Sequence, residues 1–173
     1  MNTLQINKIL TRNYITRNVY IGCFPSDQIP TVKVKFPHCI CINTGSSHSA
    51  GEHWIGVWVE SPMMVELYDS LAEWPPHANG IIEFLEKFPR IKHLPSGLNL
   101  QHPHTATCGA HVCVFFYLRA LGYTFNQIVA MLFNIMHQAT RRNTAVLKNS
   151  QQTGRADIDR YVCEFLRKYI FKS

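Results

Sequence analysis

Apolar runs in the first half of the chain predict β-strands. The run HCICINT at 38–44 is rich in β-forming residues and predicts a buried strand, and VYIGCFP at 19–25 predicts a short one. In HWIGVWVE at 53–60 both alternating sets of side chains are apolar, which favours a central strand that is covered on both faces. VELYDS at 65–70 follows a short turn, so we expect it to return antiparallel to 53–60, as a hairpin or a meander.

Apolar residues at helical spacing predict helices in the rest of the chain. The segment 108–120 is apolar on nearly every side, so its helix should lie in the core. The other predicted helices are 3–12 with Thr3 as N-cap, 81–88, 124–140 with Thr124 as N-cap, and the amphipathic 155–171. Between them, IKHL at 91–94 and LNLQ at 98–101 are candidates for short strands, and 141–154 is a polar loop. The predicted fold class is α+β, with a central, mostly antiparallel sheet flanked by helices.

Length and composition predict a single domain spanning residues 1–173. Hydrophobic residues make up 46 % of the chain, enough for a core, and no linker or repeat divides it. No apolar stretch reaches the roughly 18–20 residues that cross a bilayer, and we see no secretory signal. We therefore expect an intracellular protein that is not secreted and has no membrane partner.

The six cysteines do not follow a metal-binding pattern. Cys39 and Cys41 would lie on one face of a strand, which is a poor zinc geometry, and no second pair stands at zinc-finger spacing. We predict no metal site. Apart from Cys108, the cysteines are typical of small buried residues in a reducing compartment.

The chain is basic, with a net charge of +6 and several cations in and after one polar stretch. A basic face is typical of polyanion binding, and it is equally typical of a solvated surface that aids solubility. The residues that would contact DNA or RNA, mostly without sequence specificity, are Arg141, Arg142, Lys148 and Arg155.

One residue pair, Cys108-Gly109, opens the predicted core helix and points to chemistry. The dipole and the unpaired N–H groups of a helix start make a thiol more acidic, and Gly109 would let a substrate carbonyl approach the backbone. An imidazole from elsewhere would complete the basic machinery of a cysteine hydrolase, and His53 is the candidate base. Cys108 could equally be a core cysteine, and His102 and His104 are nearer rivals in sequence.

Two further residues fall where such a site needs them. Antiparallel pairing of 53–60 with 65–70 would bring Asp69 near His53, where a carboxylate can orient and stabilise the imidazolium. Asp69 could also be a turn residue. Gln101 stands seven residues before Cys108 and could donate its amide to an oxyanion.

These residues and their surroundings resemble the adenovirus-type maturation proteases (adenain-like), within the wider group of SUMO- and ubiquitin-like-specific cysteine proteases. The resemblance lies in VYIGCFPSD, CICINTGSSHSAGEHWIGVWV, VELYDS, LQHPHTATCGAHVCVFF and RYVCEFLRKYIF, in the family's order over most of the chain. It implies a papain-related, circularly rearranged cysteine protease fold. It also implies roles for His53 as general base, Asp69 as its acidic partner, Gln101 as oxyanion donor and Cys108 as nucleophile. Substrate-binding positions implied in the same way are Asn43, Gly51, Trp54 and Gly109.

The chain departs from adenain in several places. It has Asp69 where adenain has Glu, although the SUMO-protease branch uses Asp, and it is shorter in the loops between helices. Adenain is stimulated by DNA and by a disulfide-linked peptide, but the segment 89–100, where the partner thiol would fall, has no cysteine. We therefore expect no cofactor for the chemistry and no disulfide-linked activator, while stimulation by DNA or another peptide stays open.

The resemblance implies a cysteine endopeptidase of a virus or virus-like mobile element. Its partners would be precursor proteins cut at glycine-containing sites during particle maturation, in the host nucleus and the virion. One alternative is an isopeptidase that removes ubiquitin or SUMO-like proteins with the same chemistry. A second is a non-catalytic, nucleic-acid-binding capsid component.

Overall fold

The computed structural model describes residues 1–30, 35–74, 76, 78–142 and 150–171, with the side chains of all of these except 139–142 and 150–153. Lys148, one of the predicted nucleic-acid contacts, lies outside the described residues, and the side chains of Arg141 and Arg142 are not described.

A five-stranded mixed sheet forms the centre of the molecule. In chain order its strands are β1 (Tyr20–Pro25), β2 (His38–Asn43), β3 (Trp54–Ser61), β4 (Met64–Tyr68) and β5 (Arg90–His93), and they are also adjacent in this order. The α+β class and the central place of β3 are confirmed. The pairs β2–β3 and β3–β4 are antiparallel as predicted, but β1–β2 and β4–β5 are parallel, so "mostly antiparallel" is wrong for the edges. The candidate strand 98–101 is not a strand.

Alternation along β3 divides the core into two layers. Trp54 and Trp58 belong to the layer that includes the core helix, whereas Ile55, Val57 and Val59 belong to the opposite layer. This arrangement follows from the two-residue period of a strand, and it explains why both alternating sets in 53–60 are apolar.

Within the described ranges, six helical segments flank the sheet. They are α1 (Thr3–Arg12), α2 (Asn79–Leu85), α3 (Cys108–Ala120), α4 (Phe125–Arg142), α5 (Ser150–Phe165) and a π-helical turn, Leu166–Ile170. Helix α1 is capped by Asn2 and not by Thr3: the Asn2 side chain accepts from the Gln5 N–H, and the Gln5 side chain accepts from the Asn2 N–H. Helix α5 begins at Ser150, earlier than predicted, and packs against α4.

Helix α3 lies directly on β3, and this contact fixes the position of its first residue. A Cβ atom added to Gly56 would stand 3.1 Å from Phe116 Cε1 and 3.2 Å from Val112 Cγ1. The absence of a side chain at Gly56 therefore allows the close approach of helix and strand. In the described part of the chain, no helix is long and apolar enough to cross a membrane.

Candidate active site

Cys108 is the first residue of α3, and it is buried beneath a cleft with 8 % of its surface exposed. The His53 ring and the backbone N–H groups of Trp54 and Gly109 favour its thiolate form. Burial disfavours the thiolate, but these donors outweigh it and lower the pKa of Cys108 below its ordinary value. The result is a thiol poised to ionise.

His53 immediately precedes β3 and lies between Cys108 and Asp69. The Thr44 N–H donates to the His53 carbonyl oxygen at 2.9 Å, which fixes the backbone at this point. His53 Nε2 is 2.7 Å from Asp69 Oδ1, which leaves Nδ1 for the Cys108 thiol. Burial lowers the pKa of His53, but the hydrogen bond to Asp69 and the contact with Cys108 outweigh it and raise that pKa to about 9.

Asp69 follows β4 and reaches His53 because of the register of the sheet. Tyr68 pairs with Gly56, so Asp69, the residue after the end of β4, lies beside the beginning of β3. The Leu71 N–H donates to Asp69 Oδ1 at 2.9 Å, and the Glu73 N–H donates to Oδ2 at 3.2 Å. The carboxylate thus bonds the imidazole and also closes its own turn. Asp69 therefore combines the two roles considered from the sequence, partner of His53 and turn residue.

Gln101 lines the same cleft, and hydrogen bonds at both ends orient its amide. Its Nε2 donates to the Thr105 carbonyl oxygen at 2.7 Å, and its Oε1 accepts from Ser70 Oγ at 2.7 Å. The Leu100 and Gln101 N–H groups both donate to the Ser70 carbonyl oxygen. Because a carbonyl oxygen can only accept, Thr105 determines which end of the amide carries the protons.

A cleft of about 680 Å³ runs past Cys108, His53 and Gln101. Asn43, Gly51 and Trp54 line it, as the resemblance implies. Asn43 Oδ1 accepts from the N–H groups of Gly45 and Glu52, so its side chain holds the loop that forms one wall. The Trp54 indole N–H donates to the Met1 carbonyl oxygen at 2.9 Å, which ties the residue before α1 to the same wall.

Gly109, the second residue of α3, packs against the N-terminal residues and α1. It does not line the cleft. An added Cβ would stand 3.0 Å from Met1 Cβ and 3.1 Å from Ile6 Cδ1, so the missing side chain makes room for α1. Its backbone N–H helps to lower the pKa of Cys108, and this is the part of Gly109 that takes part in the site.

The rival histidines lie in the segment 101–107 that leads to Cys108. His102 Nδ1 accepts from the His104 N–H at 3.2 Å, and His104 is exposed. The imidazole that contacts the thiol is that of His53. Among the described residues, no cluster of three His, Cys, Asp or Glu side chains could hold a metal ion.

Of the basic residues singled out for nucleic acid, Arg155 has a described side chain. It is half-buried, and its Nε donates to the Asn99 carbonyl oxygen at 3.1 Å. Arg155 therefore packs against the segment that precedes Gln101, and at least part of its guanidinium is committed to that contact.

Sequence reasoning missed Ser70, His111 and Asp159, which support the site. His111 Nε2 is 2.8 Å from Asp159 Oδ1, and both side chains are buried. One signal was available: His111 is a polar residue inside an otherwise apolar helix, and a buried polar group requires a partner. Its partner, however, is 48 residues away in the chain and could not be identified from spacing.

No protein-family model and no curated protein matches this chain. Among solved structures, the chain is similar to the ASFV pS273R protease, with a TM-score of 0.53 and 15 % identity over 91 % of this chain and 66 % of that one. The selenomethionine form of that protease gives a TM-score of 0.47 at 15 % identity, covering 91 % of this chain and 67 % of the other. The central domain of the uncharacterized Lpg1148 protein from Legionella pneumophila gives 0.34 at 16 % identity, covering 87 % and 89 %.

This chain thus spans about two thirds of the length of the ASFV protease. The chain has the SUMO-protease-like fold, in which a five-stranded mixed sheet is flanked by helices.

Proposed function

We propose that this chain is a cysteine endopeptidase that uses Cys108 as nucleophile. The observation that carries the proposal is the contact of one imidazole with both a carboxylate and a thiol: His53 Nε2 bonds Asp69 at 2.7 Å while the ring also interacts with Cys108. The opposite pKa displacements of His53 and Cys108 support a thiolate–imidazolium pair at neutral pH.

The proposed reaction has two steps. Cys108 Sγ attacks the scissile carbonyl carbon, and the imidazolium of His53 gives its proton to the leaving amine as the C–N bond breaks. Water then attacks the thioester, with His53 taking one proton, and Cys108 leaves as the thiolate. The Cys108 N–H and the second amide proton of Gln101 stabilise the oxyanion in both steps.

The proposed substrates are precursor proteins with glycine before the scissile bond. The loop held by Asn43 and the indole of Trp54 wall the cleft close to Cys108, and glycine passes such walls in an extended conformation without side-chain clashes. The similarity to a protease of a virus and the adenain-like sequence stretches support a role in viral particle maturation. DNA is the proposed stimulator, on the basis of the net charge of +6.

An isopeptidase acting on ubiquitin-like proteins is the second candidate. The SUMO-protease-like fold favours it, and tails that end in Gly-Gly would fit the same cleft. The two candidates share every catalytic group, so the substrate alone separates them.

The test is covalent labelling by a peptide vinyl sulfone that ends in Leu-x-Gly-Gly, detected by intact mass with and without DNA. We expect one adduct on Cys108, abolished in Cys108→Ala and strongly reduced in His53→Ala. Cys23→Ser is the matched control, because Cys23 also lines the cleft, and it should still be labelled. No adduct on folded wild-type protein under either condition would contradict the proposal and favour the non-catalytic alternative.

Substrate class requires a second comparison. Precursor peptides with Leu-x-Gly-Gly sites and ubiquitin-like proteins with C-terminal extensions should be offered to the same enzyme. Preferential cleavage of the peptides is expected, and preferential cleavage behind the folded modifiers would favour the isopeptidase.

A further inference from the structure

The segment 101–107 carries Gln101 and leads directly into Cys108, yet it forms neither helix nor strand. Its first residue is held by Ser70, through the backbone and through the side chain. The remainder is held by a carboxylate from α5, that of Asp159. Asp159 lies four residues after Arg155, which binds the segment just ahead of Gln101, so one face of α5 contacts this whole region.

Asp159 is 5 % exposed and accepts hydrogen bonds on both carboxylate oxygens. The donors to Oδ1 are Thr107 Oγ1 at 2.8 Å and His111 Nε2 at 2.8 Å, and the donors to Oδ2 are Thr105 Oγ1 at 2.7 Å and the His102 N–H at 3.1 Å. Three of these four donors belong to the segment 101–107. A carboxylate has about four acceptor positions, so Asp159 is fully used here.

The fourth donor links Asp159 to the sheet. Because an ionised carboxylate only accepts, His111 Nε2 must carry a proton, and in the neutral ring Nδ1 then accepts from the Tyr68 hydroxyl at 3.2 Å. Tyr68 is the residue before Asp69. The network thus spans α5, α3 and the end of β4 that carries the acidic member of the site.

Thr107 shows how Asp159 affects the start of α3. Thr107 occupies the N-cap position, where a threonine hydroxyl ordinarily accepts from an N–H of the first helical turn. Here the hydroxyl donates to Asp159, and the helix has no side-chain cap. Thr107 directly precedes Cys108, whose N–H is the first of α3. Its bond to Asp159 therefore helps to fix the direction of that N–H.

Thr105 shows the corresponding effect on Gln101. The Thr105 hydroxyl has one proton and several neighbouring acceptors, and the shortest contact, at 2.7 Å, is to the charged Asp159. The carbonyl oxygen of the same residue accepts from Gln101 Nε2. The orientation of the Gln101 amide therefore depends on a residue that Asp159 holds in place.

We infer that Asp159 is a positioning residue for oxyanion stabilisation, acting through Thr105 on the Gln101 amide and through Thr107 on the Cys108 N–H. The inference rests on the proposed function. Asp159 does not touch the thiolate–imidazolium pair, whose partners are Asp69 and the N–H groups of Trp54 and Gly109. Removing it should leave the nucleophile intact while weakening the stabilisation of the tetrahedral intermediate.

The test measures the reactivity of the nucleophile and the stabilisation of the oxyanion separately in the variant Asp159→Asn. Alkylation of Cys108 by iodoacetamide at pH 6 requires the ion pair but forms no oxyanion, whereas peptide hydrolysis and inhibition by a peptide aldehyde both place an oxygen among the oxyanion donors. We expect kcat to fall on the order of 10²-fold, as for the loss of an oxyanion donor. The aldehyde inhibition constant should rise in parallel, with KM and the alkylation rate within about threefold of wild type.

Controls distinguish positioning from general damage. Asp157→Asn removes a half-buried carboxylate of α5 that pairs with the exposed Arg160 and does not contact the segment 101–107, and it should behave as wild type. Thr105→Val and Thr107→Val keep the side-chain shape, and each should reproduce part of the loss in kcat. If Asp159→Asn does not fold, these two variants provide the test. In a folded variant, an unchanged kcat, or an equal loss of alkylation and hydrolysis, would overturn the inference. A wild-type chain that is neither alkylated at pH 6 nor inhibited by the aldehyde would overturn the proposed function itself.

Discussion

Two thiols line the cleft, Cys23 and Cys108, and different contacts lower the pKa of each. Cys23 hydrogen-bonds the Cys41 thiol and the Tyr20 hydroxyl, the latter at 3.1 Å, and these bonds outweigh burial. Cys108 has the His53 ring and two backbone N–H groups, and only this thiol has a group that can return a proton to a leaving amine. Reactivity toward an alkylating agent and catalytic competence are therefore separate properties of this cleft.

At the residue scale we predict that Cys108 stays reactive toward iodoacetamide at pH 6, where a thiol with a pKa of about 8.5 is almost fully protonated. Peptide mapping of the alkylated chain measures this site by site. His53→Ala should move the pH profile of Cys108 upward and leave that of Cys23 unchanged. An ordinary thiol profile for Cys108 in wild-type protein would contradict a preformed ion pair.

The same pair sets an upper pH limit for hydrolysis. The pKa of His53 is raised to about 9, so the imidazolium is present below that pH and is lost as the pH rises through it. We expect peptide hydrolysis to decline above about pH 9 while alkylation of Cys108 continues, because only hydrolysis needs the proton. A parallel decline of both rates would argue against this role of His53.

The sequence identifies the residues at the centre of the site better than those around them. Antiparallel register predicted that Asp69 lies near His53, and the start of an apolar helix singled out Cys108. The grouping of Gln101 and Cys108 with these two residues came from the family resemblance. Asp159 and Ser70 have no such local signal, because their roles depend on contacts between segments that are distant in the chain.

At the element scale the contact of α3 with β3 decides where the thiol stands. Gly56 lies beneath Val112 and Phe116, and a side chain at this position would crowd both of them. We predict that Gly56→Ala destabilises the fold by about 1–3 kcal/mol, the usual cost of an overpacked core. Urea unfolding measures this, and a lowered alkylation rate of Cys108 should accompany it because α3 is displaced. An unchanged urea midpoint would show that the helix and strand can adjust.

Elements were predictable where their pattern is local. The alternation in 53–60 and the apolar surface of 108–120 predicted β3 and α3 correctly. The parallel edges of the sheet were not predictable, because the direction of β1 and β5 depends on how long connections cross the fold. The early start of α5 was missed because its first turn is polar in sequence and gives no amphipathic signal.

On the scale of the whole molecule, Asp159 joins three parts of the fold, and its charge should make that junction sensitive to acid. Burial disfavours the carboxylate, but the hydrogen bonds from His111, Thr105 and Thr107 outweigh it and lower the pKa of Asp159 below the ordinary 3.8. A lowered folded-state pKa gives stability that is fully present above the unfolded value and is lost as the pH falls through the folded value.

We therefore predict that Asp159→Asn lowers the free energy of unfolding by about 2 kcal/mol at pH 7, the scale of hydrogen bonds to a charged group. The difference from wild type should shrink as the pH falls below 3.8, because the carboxyl of the unfolded wild-type chain then binds a proton and the folded one follows at its lower pKa. Urea unfolding of both proteins at pH 7 and pH 3 measures it. A difference that is the same at both pH values would mean that shape, and not charge, accounts for the role of Asp159.

The indole of Trp54 belongs to the same cleft as His53 and Cys108, and its N–H donates to the Met1 carbonyl oxygen. An imidazolium quenches indole fluorescence more strongly than a neutral imidazole does, so we expect the emission of Trp54 to follow the protonation of His53. The chain has three tryptophans, and Trp58 and Trp74 are placed near Arg119 and His93 instead. With Trp58 and Trp74 replaced by phenylalanine, the protein carries its own optical indicator of the catalytic charge state, readable without substrate or label.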